Sequence, residues 1–272
     1  MMAGKLQLSN GYNVDLDQMA RLLRCVSQDE RPRFLFADIA EAVGIATRQA
    51  ENLASIARAF GLIKPVSLKP TPLGTCVYAH DPFCDDLGTL WFLHYAIAAD
   101  VRHIVWNRFA NTLVPERSRF TLAQFRAAFH DLAVTHSSYS ARTHVGTEVL
   151  TVVNAYTQQN FARLAYLVED GDCYSLGYRE PVPPLVLAAC IARYRDQHRS
   201  GDTALSITDL LSAPNSPGVV CQIPEDRLRA GLEALKTQPG LSLESRADLD
   251  QVRLTDTTPD YQWMERYYAS RQ

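Results

Sequence analysis

Apolar positions recur at helical spacing from the start of the chain. Leu16, Met19, Leu22, Leu23 and Val26 share one face of a segment that Asp15 can cap, which predicts an amphipathic helix over residues 15–26. The polar stretch 27–32 interrupts the pattern. Phe36, Ile39, Ala40 and Val43 resume it up to Gly44, a residue suited to the left-handed conformation that ends helices. After a three-residue turn, Thr47 can cap a third helix reaching Phe60, with Ala50, Leu53, Ala57 and Phe60 inward and Gly61 closing it. Residues 62–66 and 67–71 read as two short strands about a tight reversal, and Thr71-Pro72-Leu73-Gly74 restarts a helix with proline in its first turn. Three helices and a two-stranded wing predict a winged helix-turn-helix over 13–80. Such units bind DNA in most settings and dock proteins in others.

The pattern over 81–272 predicts a second, mostly helical unit. Helices are expected at 87–99, 101–113 and 144–156, with another capped by Thr121 that turns Phe125, Ala128 and Leu132 inward. A hairpin is expected near 161–178, because Asp170-Gly171 is a strong turn signal between two β-prone runs. Beyond Pro181-Val182-Pro183-Pro184, helices at 185–195, 207–211 and 225–237, strands near 241–244 and 251–254, and a last helix at 259–268 give a winged-helix-like unit from about 200. The long loop 213–224 departs from that pattern. The fold class expected is α+β, predominantly α-helical.

Bulk properties narrow the functions available. A length of 272 residues suits two units with real cores, and 47% hydrophobic residues leave no case for disorder. No window approaches the roughly 18 apolar residues of a spanning helix, and the N-terminus has no secretory h-region, so a cytoplasmic protein is expected. Six scattered cysteines with no C-x-x-C read as reduced core residues, and no H-x-x-x-H pair suits zinc. The net charge of −3 hides a gradient. Residues 31–80 hold six Lys/Arg against three Asp/Glu, residues 101–142 hold six arginines against two acids, and residues 201–272 hold seven basic against eleven acidic. The front half therefore offers a face for an anion, unless these are ordinary solvated helix faces.

If the winged unit reads DNA, the exposed side of its third helix offers Arg48, Gln49, Asn52, Ser55 and Arg58 to base edges, and Lys64 and Lys69 on the wing would meet phosphate. Arg102, Arg108, Arg117, Arg119 and Arg142 would extend that cationic surface. A polar loop, Ser137 to Arg142, reads either as a phosphate site or as a connection. Three carboxylates, Asp81, Asp85 and Asp86, crowd the entry to the helix at 87. They read as capping groups at the positive end of a helix dipole, or as oxygen ligands for magnesium in phosphodiester cleavage. His94 lies in an apolar helix, where a satisfied core histidine is the plainer reading. Phosphate-loop, dinucleotide and nucleophile-elbow motifs are missing, so ATPase, dehydrogenase and esterase readings have no support, and no nucleotide, flavin or zinc cofactor is expected.

From Asp81 to Tyr95 the run DPFCDDLGTLWFLHY resembles a bacterial family catalogued mainly as a domain of unknown function, the SspB-like components of single-strand DNA phosphorothioation systems in antiphage defence. Further matches are VWNRFAN at 105–111, Ser216-Pro217-Gly218 before an expected apolar strand, and Asp250-Gln251-Val252-Arg253-Leu254 ahead of a tyrosine-rich end. The resemblance spans nearly the whole chain. It implies a DNA-nicking endonuclease working beside a cysteine desulfurase, an ATPase and an ATP-pyrophosphatase-like protein, so that a non-bridging phosphate oxygen is exchanged for sulfur. The family motif falls on Asp81, Asp85, Asp86, Trp91, His94, Trp106, Asn107 and Asn111. Among these, Asp81, Asp85, Asp86 and His94 are the catalytic candidates, with Asp85 and Asp86 as ligands for Mg2+. A non-catalytic DNA-binding subunit or regulator, and a protein-docking adaptor, are the competing readings; self-association is left open.

Overall fold

The computed structural model describes residues 5–271 apart from 135–136, 178–179, 247–248 and 255–256. Tyr178 of the expected hairpin and His136 lie outside the described residues. Helices α1 (Leu16–Gln28), α2 (Phe36–Val43) and α3 (Thr47–Ala59) form where the apolar spacing puts them. Asp15 caps α1 by accepting from the Gln18 amide at 3.0 Å, and Gly44 ends α2 at φ 77°. The cap of α3 is Ala46, one residue earlier than expected, with the Gln49 side chain accepting from the Ala46 amide. The reversal at 61–71 is shorter than a two-stranded wing. It holds one bridge, Ile63 to Pro70, and a Lys64 amide to Lys69 carbonyl bond of 2.8 Å. Thr71 then caps α4 (Pro72–His80), as its Thr-Pro start dictates.

Two helices are buried on every side, α5 (Leu87–Ala98) and α10 (Pro184–His198). They pack on each other, α10 packs on α14 (Asp260–Ala269), α14 also packs on α4, and Thr89 of α5 is hydrogen-bonded to Tyr268 of α14. Arg193 of α10 locks the junction. Its Nε meets the Asp260 carboxylate at 2.7 Å, its guanidinium lies 4.6 Å over the Phe92 ring, and it reaches the Phe60 carbonyl at the end of α3. The core of α1–α3 is thereby continuous with that of the body.

Between α5 and α10 the chain forms α6 (Ile104–Arg108), a π-helical turn (Phe109–Leu113) and α7 (Val114–Glu116), where the sequence predicts one regular helix. Strand β1 (Arg119–Thr121), α8 (Leu122–Ala127), a 3-10 turn (His130–Val134) and the long α9 (Ser138–Thr157) follow. Ser138 to Arg142, expected as a loop, is the first turn and a half of α9. A second 3-10 turn (Asn160–Leu164) takes the first part of the expected hairpin, which shortens to β2 (Leu167–Asp170) and β3 (Cys173–Leu176) about Gly171 at φ 60°. β1 joins them in the antiparallel order β1-β3-β2.

The C-terminal part adds β4 (Ala204–Ser206), α11 (Ile207–Ser212), α12 (Pro217–Val220), α13 (Glu225–Ala234), β5 (Leu241–Arg246) and β6 (Leu249–Leu254) before α14. Its sheet has the order β4-β6-β5. Residues after Ser216-Pro217-Gly218, expected as a strand, are helical because Ser216 caps the turn and proline starts it. The architecture is α+β and mostly helical, with two small antiparallel sheets. No helix among the described residues is long and apolar enough to cross a membrane.

Candidate functional site

The side of α3 away from the core carries part of the expected constellation. Arg48 is exposed, and its guanidinium has no partner among the described residues. Gln49 and Ser55 are half-buried and turned to local backbone, Ser55 Oγ donating to the Glu51 carbonyl at 3.0 Å. Asn52 is a correction: it is 2% exposed, donates to the Arg48 carbonyl and accepts from Asn10. Asn10, in the N-terminal strap of residues 5–12, covers Asn52, which helical spacing alone could not reveal. Lys64 is exposed and unpartnered, whereas Lys69 donates to the Asp29 carbonyl at 2.8 Å and lies over the Phe34 ring.

A groove of about 300 Å3 joins α3 to the reversal, lined by Arg33, Leu35, Phe36, Arg58, Pro65 and Val66. Arg58 lies 5.6 Å over the Phe36 ring, burial lowers its pKa, and its Nε is buried without a hydrogen bond. Arg33 on the same rim is exposed and unpartnered among the described residues, a cation that the sequence reading passed over in its turn before α2.

Three of the six arginines of 101–142 are neutralised at home. Arg102 clasps Asp100, Arg108 forks onto Asp131 at 2.6 and 3.1 Å, and Arg119 meets Asp170 at 2.9 Å. These contacts hold the Asp100 and Asp131 carboxyls below the usual carboxylate range, for Asp100 against an opposing burial. Arg117, Arg126 and Arg142 remain exposed without partners among the described residues.

The acidic run builds a turn. Asp81, 8% exposed, accepts the Asp85 and Asp86 amides on its two oxygens at 2.9 and 3.1 Å. Asp86 caps α5 by accepting from the Gly88 and Thr89 amides, takes a bond from the Tyr267 hydroxyl at 2.7 Å and pairs with Arg271 at 3.2 Å. Burial, then the Asp86 contact, pushes the Tyr267 phenol up. Asp85 alone projects into solvent, paired with Arg163 at 2.9 Å. Cys84 sits at φ 54° and is fully buried, while Phe83 beside it is 64% exposed.

As folded, this donor set does not fit magnesium, which requires several free oxygens in near-octahedral array. Asp81 and Asp86 have theirs engaged by amides, a phenol and a guanidinium. Among the described residues, no group of three or more His, Cys, Asp or Glu gathers closely enough to hold a metal.

His94, expected among the catalytic groups, is fully buried with both ring nitrogens engaged. Nε2 donates to the Val220 carbonyl at 3.0 Å, and Nδ1 shares a hydrogen bond with the Tyr156 hydroxyl. It cannot reach a phosphodiester without unfolding α5. Tyr166 donates to the same Val220 carbonyl at 3.0 Å. Asn107 and Asn111 behave alike: Asn107 Nδ2 donates to Asn215 Oδ1 at 2.7 Å, and Asn111 Oδ1 accepts the Asn215 amide at 2.7 Å. Tyr95 donates to the Asn215 carbonyl. The motif residues thus converge on segment 215–222. Trp106 instead donates to Glu148 at 2.8 Å, a carboxylate 1% exposed that also accepts from the amide and hydroxyl of Ser9. Burial raises the Glu148 pKa against those hydrogen bonds. Glu148 went unnoticed in the sequence because it stands alone on a polar-looking helix.

Two crystal structures of SspB share this fold. One, magnesium ion-bound, aligns at TM-score 0.80 and 17% identity over 99% of this chain and 88% of that chain. The other aligns at TM-score 0.78, also at 17% identity with the same coverage. Likeness at that identity speaks for the fold alone. No curated protein matches significantly. The family profile described as "Protein of unknown function (DUF4007)" matches residues 22–268, nearly the entire length, and the chain therefore belongs to the DUF4007 family.

Proposed function

We propose that this chain is the SspB-like, DNA-engaging component of a DNA phosphorothioation system in antiphage defence, and that it nicks one strand before sulfur replaces a non-bridging phosphate oxygen. The observation that carries the reading is the fold shared with SspB along 99% of the chain. In this reading residues 13–80 act as a winged helix, with Arg48 on α3 and Arg33, Arg58 and Lys64 around the groove meeting DNA. Residues 81–272 form the body that receives the strand. The partners are a cysteine desulfurase, an ATPase and an ATP-pyrophosphatase-like protein, in the cytoplasm.

Magnesium enters as a requirement to be measured, since residues 81–86 offer no ready cation site. Asp85 is the one carboxylate of that run that a substrate can approach. A second reading, a DNA-binding subunit without strand cleavage, is favoured by the engagement of Asp81, Asp86 and His94 within the protein.

Incubation of supercoiled plasmid with purified protein, with and without Mg2+, decides between them. Relaxed circles that depend on Mg2+ support nicking, and their loss in Asp85→Asn assigns the carboxylate. A salt-sensitive gel shift without breaks supports the second reading. Neither shift nor breaks would remove DNA from the account.

A further inference from the structure

The motif residues hold a wall rather than a reactive group. Segment 215–222 is fixed by Asn107, Asn111 and Tyr95 on Asn215 and by His94 and Tyr166 on the Val220 carbonyl. Asn215 and Gln222 adopt φ 66° and 52°, which cost strain for residues other than glycine. Gly218 is packed so tightly that an added Cβ would stand 2.5 Å from the Leu210 carbonyl oxygen. So much restraint preorganises whatever this segment borders.

It borders a cleft of about 250 Å3 lined by Trp91, Val182, Leu187 and Ile223, with the exposed side chains of Glu180 and Arg227 carrying its two charges. That size lies between a cavity of about 150 Å3 that takes one benzene and the roughly 300 Å3 at which drug-sized pockets begin. A planar one- or two-ring group fits. Trp91 is 1% exposed, and its indole N–H has no hydrogen-bond partner among the described residues. Arg227 is exposed and likewise unpartnered. Apolar walls, an unpartnered indole N–H in the lining and an unpaired arginine, which outreaches the one carboxylate, suit a heteroaromatic ring with an acceptor on its edge and an anion held by Arg227.

We propose that the cleft between Trp91, Val182, Leu187 and Ile223 receives one unpaired nucleobase of single-stranded DNA, with Arg227 on the adjoining phosphate. The inference rests on the reading that this chain engages DNA. It gives the DUF4007 motif a role in shaping a base receptor, and it separates base capture in the body from duplex contact at α3.

The test titrates wild type, Val182→Phe and Arg227→Ala with the four deoxynucleoside monophosphates at millimolar concentrations, following tryptophan fluorescence. The same proteins are then titrated with a short single strand and with a duplex, after thermal melts show the variants folded. Wild type is expected to bind at least one mononucleotide saturably and Val182→Phe none. Both variants should lose about fivefold or more in single-strand affinity, the scale of one stacked base, and keep duplex affinity. Absence of mononucleotide binding, or variants that bind single strands like wild type, overturns the inference. Protein that binds no DNA at all removes the proposed function with it, whereas unchanged DNA binding by folded variants removes the base receptor alone.

Discussion

In the turn before α2, on α3 and in the reversal after it, Arg33, Arg48 and Lys64 stand in solvent without partners among the described residues, whereas between Asp81 and His94 every ionisable side chain is tied to another part of the protein or sealed in its core. The two regions look equally chemical as sequence. They differ in what their polar atoms face. An unpartnered exposed cation costs the fold nothing to keep and is available to an anion, while a buried polar atom stays only if its partner is built in. Apart from the exposed Asp85, the acidic, histidine-bearing motif therefore spends its polar atoms on shape, and the cations of the plainer surface in front of it stay available.

The difference is sharpest at His94. Replacing it by alanine orphans the Tyr156 hydroxyl, removes one of two donors on the Val220 carbonyl and leaves a void between α5, α9 and α12. A loss of about 3–5 kcal/mol is expected from cavity and unpaired groups together, read as a large drop in the denaturation midpoint. A variant that melts like wild type but is inactive would break the comparison and restore His94 to chemistry. Asp86→Ala comes next. The aspartate caps α5, and losing such a cap costs about 1–2 kcal/mol. Asp85→Ala, by contrast, removes an exposed pair of a class worth about 0–1 kcal/mol. Equal melting of the two variants would mean that the turn is not organised as described.

Glu148 tests the buried side of the contrast by pH. Its folded pKa is raised, so the fold prefers the protonated acid. The stability this group contributes is full below the usual glutamate range and is lost as pH rises through the folded pKa. Glu148→Gln keeps an acceptor for Trp106 and cannot ionise. The difference in melting temperature, Glu148→Gln minus wild type, should therefore grow in the variant's favour from acid to neutral pH. A flat difference would mean that Glu148 is not desolvated by the strap of residues 5–12.

What could be read from sequence follows the same division. Asp15, Gly44, Thr71 and Thr121 announced their helix ends because capping is decided within a few residues. The burial of α5 showed in its uninterrupted apolar run. Strands β1 and β4 did not show, because each is three residues long and exists only through β3 or β6 far along the chain. The π-helical turn at Phe109–Leu113 left no mark in the apolar spacing. At the site, residue types at α3 were legible and their exposure was not: Asn52 is covered by a strap forty residues away, and Lys69 is drawn onto Asp29. The acidic run was legible as a cap or a metal site, and only the positions of Tyr267, Arg271 and the Asp81 amide partners favour the cap.

The smallest effect on stability should accompany the clearest effect on binding. Arg48 and Lys64 hold no side chain in place, so the double variant Arg48→Ala/Lys64→Ala should melt with wild type. If both meet phosphate, the slope of log affinity against log salt should flatten by about 0.9 per lost contact, near two units in all, and affinity should fall evenly across duplex sequences. Arg48 alone could instead read a base edge, which would make the loss sequence-dependent at one position and leave a change of about one unit in slope to Lys64. Arg102→Ala supplies the control, since its guanidinium is already clasped by Asp100. A slope that responds to Arg102 as strongly as to Lys64 would show that local pairing does not silence a cation here, and the division between the two regions would lose its physical basis.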